Sequence, residues 1–484
     1  MLARNQHERS SSGQPAESLR RQHGEVSARE AAFDVLWDIR AGRRTAREAI
    51  DALLEADRLP GPELGLTMEL VMGVIRHRLT LVRLLGSMTD RDWKYINPPV
   101  QNILMLGAYQ LIWLDRIPAF AAVNEAVEQA KSRGSKRSGQ FVNAVLRQLL
   151  REIEHRRLPT SQVDTIRAVP IDRHTCCQFR KPIFSDPAIR PIEHLADTTS
   201  HPLWLVSRWV HCFGMDQAIE ICRAGMYRPP MFIRPNKLRV GVSELITRLS
   251  DGGCDAQPAE SGEALVILHA AGFTKTAAFR EGLCQPQDRT AMLPVQAMDL
   301  SPGKVVVDLC AGLGTKTTQM AEIMENKGTV IACDKDETKL VLLRANCERL
   351  GLSIVRTVLL ANLEKETANL ATIDWILIDA PCSNSGVLAR RPDARYRIDQ
   401  RTLDSLSSVQ LNLLDEASRL AGPQTRMMYS TCSIEREENE DIVVQFVSSH
   451  SGWRMFDSRK TMPSAGSEPA DWRDGGYWAI LLQK

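Results

Sequence analysis

Between Lys304 and Leu482, short apolar runs rich in Val, Ile and Leu alternate with longer stretches of helical period, a rhythm that leaves few architectures open. The strand-like runs are Lys304 to Leu309, Thr329 to Cys333, Ile354 to Leu359, Trp375 to Ile378 and Arg426 to Ser430. Helical stretches fall at Thr315 to Asn326, Thr338 to Leu350, Ser405 to Leu420 and Glu438 to Val447, and a last strand is expected from Tyr477 to Leu482. Strands this apolar are buried on both faces. The expectation is therefore a doubly wound parallel sheet, an α/β Rossmann-like domain over 285–484, with ligands at the carboxyl edge of its strands.

Two of those strands end alike. The run from Ile373 stops at Asp379, Pro381 and Cys382, and the run from Met427 stops at Ser430, Thr431 and Cys432. If the two are sheet neighbours, their axes lie about 4.8 Å apart, so the two thiols are expected to flank one planar substrate. A lone free cysteine is commonly core, but two at one catalytic edge are harder to explain that way. A thiol of reference pKa about 8.5 needs cationic or polar company to supply thiolate at neutral pH, and Asp379 and Lys316 are the candidates. Thiolate addition at carbon 6 of cytosine makes carbon 5 enamine-like and able to accept a methyl group. Release of the enzyme then needs a second group, which accounts for a second thiol. A thiol redox enzyme would need a disulfide between Cys382 and Cys432 in turnover, which the nucleoside-type turn described next does not suit.

The first strand runs into Asp308, Cys310, Ala311, Gly312, Gly314 and Lys316, and a helix follows at once. Glycines there let the backbone turn tightly and approach a ligand, and the second strand ends in Asp334, an acid suited to ribose hydroxyls. Thr317 stands where a dinucleotide fingerprint would have its third glycine, so S-adenosylmethionine fits better than NAD. Asn362, after the third strand, is a candidate for an adenine edge. The expected cofactor contacts are thus Asp308, Cys310, Ala311, Gly312, Gly314, Lys316, Asp334, Asn362 and Asp379.

The rest of the 484-residue chain divides by composition. Residues 1–27, polar and including Arg20 and Arg21, read as a disordered tail, and 28–155 as an all-α domain, with Val71, Val74, Ile75, Leu79 and Val82 at helical spacing. Eight Lys or Arg between Lys131 and Arg157 face only two Glu, a patch suited to phosphate or simply a solvated face. The proline-bearing 156–198 reads as an irregular linker or insertion, and 199–284 as a small α+β region with a βαβ unit whose Arg234 and Asn236 are candidates for reaching RNA. Arg390, Arg391, Arg395 and Arg397, with Tyr396 among them, suit the phosphates and extruded base of an RNA. Net charge is +2, and there is no apolar run of 18 residues and no signal-peptide pattern, so no membrane association is expected and a cytoplasmic location is. Eleven scattered cysteines suit free thiols in a reducing compartment, and Cys176-Cys177 near His174 lacks the second cluster that a metal site needs, so none is expected.

Residues 69–76, 106–111, 115–118, 121–126 and 141–147 resemble the NusB-type RNA-binding helical domain. The segments 379–386, 390–397, 429–434 and 438–440 resemble the RNA cytosine-5 methyltransferases of the Sun family. That resemblance implies that Cys432 is the nucleophile, that Cys382 assists release of the methylated product, that Asp379 and Lys316 hold the base, and that S-adenosylmethionine is the methyl source. It also implies an RNA partner, above all small-subunit ribosomal RNA; a monomer is the plain expectation. Two departures stand out. The family's Ala-Ala-Pro-Gly-Gly-Lys turn is here Ala311 to Lys316 without the proline, and its usual Asp after the third strand is Asn362. They motivate an alternative, an RNA-binding ribosome-assembly factor with a decayed methyltransferase domain.

Overall fold

The computed structural model describes residues 27–56, 59–259, 262–268, 272–368 and 370–484. The expected tail, with its Arg20-Arg21 pair, lies outside them apart from Ser27. Helices at Ala28–Arg40, Ala46–Glu55, Gly61–Arg76, Arg78–Gly86, Pro98–Trp113, Ala119–Ser132 and Lys136–Glu152 form the amino-terminal domain. Pro98–Trp113 is the hub, buried continuously from Val100 to Trp113 with its neighbours packed around it. Each fully buried Leu or Ile there contributes about 2 kcal/mol, so packing rather than helix propensity holds the domain.

The segment 156–198 is not irregular. Strands β1 (Ile153–Pro159), β2 (Ala168–Pro170) and β3 (Thr175–Phe179) form an antiparallel sheet in the order β1-β3-β2, and a helix, Pro191–Thr199, follows. Val169, Cys177 and Phe179 are fully buried against the helical core, which makes this sheet part of the amino-terminal unit. Strands of three to seven residues carrying prolines at their ends leave too little periodicity to see in sequence.

Two helices, Leu203–Phe213 and Met215–Met226, lead into a four-stranded sheet made of β4 (Met231–Pro235), β5 (Ala256–Pro258), β6 (Leu265–Ile267) and β7 (Cys284–Pro286). Its order is β5-β6-β4-β7, and every pairing is antiparallel. The expected βαβ unit is thereby corrected, because β5 and β6 form a hairpin that reverses the chain before it returns beside β4. The pairing of β7 with β4 also places residues 284–286 in this sheet.

The carboxyl-terminal domain is a seven-stranded sheet of β8 (Val305–Asp308), β9 (Thr329–Asp334), β10 (Val355–Leu359), β11 (Trp375–Asp379), β12 (Arg426–Thr431), β13 (Trp453–Thr461) and β14 (Gly476–Gln483). The order β10-β9-β8-β11-β12-β14-β13 has five parallel strands and an antiparallel β14 between β12 and β13, so the sheet is mixed at one edge. Buried cores lie on both faces, as the apolar strands demand. The chain reverses its direction of travel between β8 and β11, the crevice where such sheets bind ligands.

Candidate active site

Strands β11 and β12 are hydrogen-bonded neighbours with Asp379 opposite Ser430, so the loops that follow them meet over the carboxyl edge. Cys382 and Cys432 are both half-buried, with their sulfurs 3.2 Å apart. A planar base between them would need each sulfur roughly 3.5 Å from its ring, about 7 Å in all. The expected flanking of a base is not the arrangement seen: the two sulfurs touch, with no room for a ring between them.

Their surroundings differ. Lys316 opens the helix Thr315–Ile323 and makes an ion pair with Asp379 at 2.7 Å, while Ser430 donates to the other Asp379 oxygen at 2.9 Å. Burial works against the charge on Lys316, yet Asp379 holds its pKa above the ordinary lysine value, with smaller help from Cys432 and Asp308. For Cys432, the hydrogen bond from the Cys382 thiol, together with Arg391 and Lys316, outweighs burial and Asp379 and lowers its pKa. Cys382 is pushed well above the ordinary thiol value by that same hydrogen bond, by burial and by Glu438. The two shifts run in opposite directions, so of the two thiols Cys432 is the one more readily converted to thiolate.

The loops are braced by groups that carried no role in the sequence reading. Glu438, fully buried, accepts from the Ser383 backbone at 2.8 Å and the Ser383 hydroxyl at 2.5 Å. Ser383 and Ser433 are hydroxyl partners at 3.2 Å, which ties the two Cys-Ser segments together one residue beyond the thiols. Asn384 has φ of +63°, donates to the Cys382 carbonyl at 2.8 Å and offers its side-chain oxygen to Cys432 at 3.3 Å. A Cβ on Gly386 would come within 2.7 Å of the Cys432 carbonyl, so only glycine lets the loops approach this closely. The repeated Cys-Ser pairs and the Asn-Ser-Gly turn chemistry were the available signals.

Beside this lies the turn after β8. Gly314 has φ of +80°, and a Cβ there would lie 1.8 Å from Leu343 Cδ1. Asp308 is buried, accepts from Thr317 at 2.7 Å and keeps an oxygen without a partner, and burial pushes its pKa up to about 7. Asp334 accepts one backbone bond on each oxygen, from Gly312 and Asp336, both at 3.0 Å, which leaves carboxylate lone pairs for ribose hydroxyls. Nothing lies within 4 Å of a Cβ built on Gly312, and Asn362 is exposed at the end of β10. Ala311 donates to the Cys333 carbonyl at 2.8 Å, and burial raises the pKa of the Cys310 thiol, which suits lining rather than attack. Open space over Gly312 and acceptor capacity at its rim fit a nucleoside cofactor.

Comparison with known proteins decides the lineage. The family model described as 16S rRNA methyltransferase RsmB/F matches residues 295–469, the NusB family matches 26–151, and the RsmF/B-like ferredoxin-like domain matches 201–274. The probable ribosomal RNA small subunit methyltransferase B of Bacillus subtilis is 31% identical, over 88% of this chain and 89% of its own. This chain belongs to the RsmB/F family. Its Pseudomonas syringae relative, ribosomal RNA small subunit methyltransferase B, is 28% identical over 95% of this chain and 97% of its own. Among solved structures, PH0851 aligns with a TM-score of 0.71 at 23% identity, over 96% of this chain and all of that one, a likeness of fold.

Within this RsmB/F chain, the basic residues expected to meet RNA divide sharply. Arg234 is buried, pairs with Glu322 at 2.8 Å and bonds Thr318 and Gln287, while Asn236 is fully buried and donates to the Gly282 and Leu350 carbonyls at 3.0 Å. Both join the middle domain to the catalytic domain, which corrects their expected RNA contact. Arg395 is also fully buried and donates to the Ser200 and Gly225 carbonyls at 3.0 and 2.6 Å, so it too is removed from the RNA face. Arg390 pairs with Asp288 at 2.8 Å and with Asp474, and burial beside Asp474 pushes Asp288 up to about 6. Arg391 and Arg397 are exposed. In the earlier basic patch, Arg133 pairs with Asp34 and Arg157 with Asp115, at 2.7 and 2.8 Å. Among the described residues no helix is long and apolar enough to cross a membrane.

Proposed function

We propose that this chain transfers a methyl group to carbon 5 of a cytosine in RNA, above all small-subunit ribosomal RNA, through a covalent adduct on Cys432. The observation that carries the reading is the asymmetric thiol pair beside the Lys316–Asp379 ion pair at the carboxyl edge of the sheet. Cys432 attacks carbon 6, and its charge passes into the ring. Lys316 and Asp379 present a donor and an acceptor to the polar edge of the base and hold it over the thiolate. Asp308, Gly312, Gly314, Asp334 and Asn362 would hold S-adenosylmethionine, which would supply an electrophilic methyl group when bound. As a water takes the carbon 5 proton, the carbon 5–hydrogen pair forms the carbon 5–carbon 6 double bond, the carbon 6–sulfur pair returns to Cys432, and the Cys382 thiol, 3.2 Å away, donates a hydrogen bond to the departing sulfur.

The altered turn does not favour a decayed domain. Its Gly314 backbone donates to Ala311, its Thr317 braces Asp308 and its lysine reaches Asp379, so each part is engaged. The test is incubation of the full chain with labelled S-adenosylmethionine and unmodified small-subunit RNA, followed by nucleoside analysis. Labelled 5-methylcytidine is expected; absence of both methyl transfer and cofactor binding would contradict the reading.

A further inference from the structure

A cavity of about 380 Å³ opens between the amino-terminal helices and the 393–397 segment of the catalytic domain, away from the thiols. Five arginines line it, Arg40, Arg43, Arg44, Arg78 and Arg397, against two acids, Glu48 and Asp393. Arg43 and Arg44 share Asp38, and Arg397 pairs with Asp393. Among the described residues Arg40 and Arg78 have no carboxylate partner: Arg40 reaches only the Asn102 oxygen at 3.5 Å, and Arg78 lies over the Tyr396 ring at 5.3 Å. Burial and then Arg78 lower the Arg40 pKa, the mark of a cation that lacks a counter-charge.

The cavity also contains a buried polar group with nothing to bind. Asn102 is 2% exposed, and its amide nitrogen has no partner. Leaving such a buried donor unsatisfied is costly, so a ligand acceptor there would be favoured. The remaining wall is largely apolar, with Leu36, Ile39, Val74 and Met105 lining it together with Tyr396. Guanidinium groups for a phosphate, an aromatic face and apolar wall for a base, and an amide donor for a base edge form the complement of one nucleotide, in a volume within the usual range of ligand sites.

We propose that this cavity holds one nucleotide of the substrate RNA at a distance from the cytosine being modified, its phosphate on Arg40 and Arg78 and its base against Tyr396. The inference rests on the RNA-directed activity proposed above. Because Tyr396 donates to the Ile75 carbonyl at 2.9 Å and Arg76 to the Ala389 carbonyl at 2.9 Å, the cavity spans the joint between the amino-terminal domain and the segment that follows the Cys382 loop. A nucleotide bound here therefore reads that joint as well as the strand.

The test compares the wild type with the Arg40→Gln/Arg78→Gln double variant in binding of a labelled unmodified small-subunit RNA transcript at several salt concentrations. About tenfold weaker binding and a salt slope smaller by about one are expected. Unchanged affinity and slope overturn the proposal. If the variant fails to fold, arginine labelling of the wild type by phenylglyoxal decides. Protection of Arg40 and Arg78 by the transcript supports the site, and equal labelling with and without it overturns the site. Protection as complete by millimolar AMP as by the transcript would assign the cavity to a free nucleotide and overturn it likewise. The two readings fail separately: a wild type that binds RNA through these arginines but transfers no methyl group sinks the activity, whereas a wild type that methylates with an unaffected double variant sinks only the cavity.

Discussion

The Cys382 and Cys432 loops begin from almost the same sequence, Pro-Cys-Ser and Thr-Cys-Ser, on adjacent parallel strands, yet their thiols are driven in opposite directions. Lys316 and Arg391 favour charge on Cys432, and Glu438 disfavours it on Cys382. Residue type and strand position are therefore shared, and the division comes first from the hydrogen bond between the sulfurs, since one thiol's proton stabilises the other's anion. The ionised groups behind each sulfur add to it.

Four substitutions test that division, in order of decreasing effect. Cys432→Ala should reduce labelled methyl incorporation by at least about 10³-fold, the scale of a lost nucleophile. Cys382→Ala should slow later turnovers about 10- to 100-fold, the worth of one hydrogen bond to a charged atom, and the first turnover by less, through loss of the hydrogen bond that lowers the Cys432 pKa, as seen in burst kinetics. An equal loss in both phases would break the comparison. Lys316→Met should lower the neutral-pH rate about tenfold, equivalent to roughly 1.4 kcal/mol. The sign follows from the lowered pKa of Cys432. Activity depends on its thiolate and fades as pH falls through that pKa, so loss of the cation should move the acid limb of the rate profile to higher pH. Arg391→Gln should move the limb in the same direction, but the side chain is exposed and screened, so about a two- to fivefold rate effect is expected, vanishing at high salt.

The sheet was legible because a strand buried on both faces must be apolar throughout, and the thiol pair was legible because both strands stop on the same kind of residue. What remained hidden was the fate of polar side chains. Arg395 and Arg391 belong to one basic cluster in sequence, yet one is fully buried against backbone carbonyls and the other is exposed. Arg234 and Asn236 likewise leave a strand as if toward substrate and instead satisfy Glu322 and the Leu350 carbonyl across a domain boundary. No local pattern distinguishes these outcomes, because burial is decided by what packs opposite. The contact of the two sulfurs was hidden for the same reason: strand spacing sets the distance between axes, whereas Glu438, Ser433 and Gly386 set how far the loops fold toward each other.

The division between the thiols is tested most directly by mixing the Cys382→Ala and Cys432→Ala variants separately with unmodified small-subunit RNA and S-adenosylmethionine and resolving the products on a denaturing gel. A protein–RNA adduct that peptide mass analysis maps to Cys432 is expected with Cys382→Ala and none with Cys432→Ala. Equal adduct in the two variants, or an adduct on Cys382, would contradict the assignment of the nucleophile.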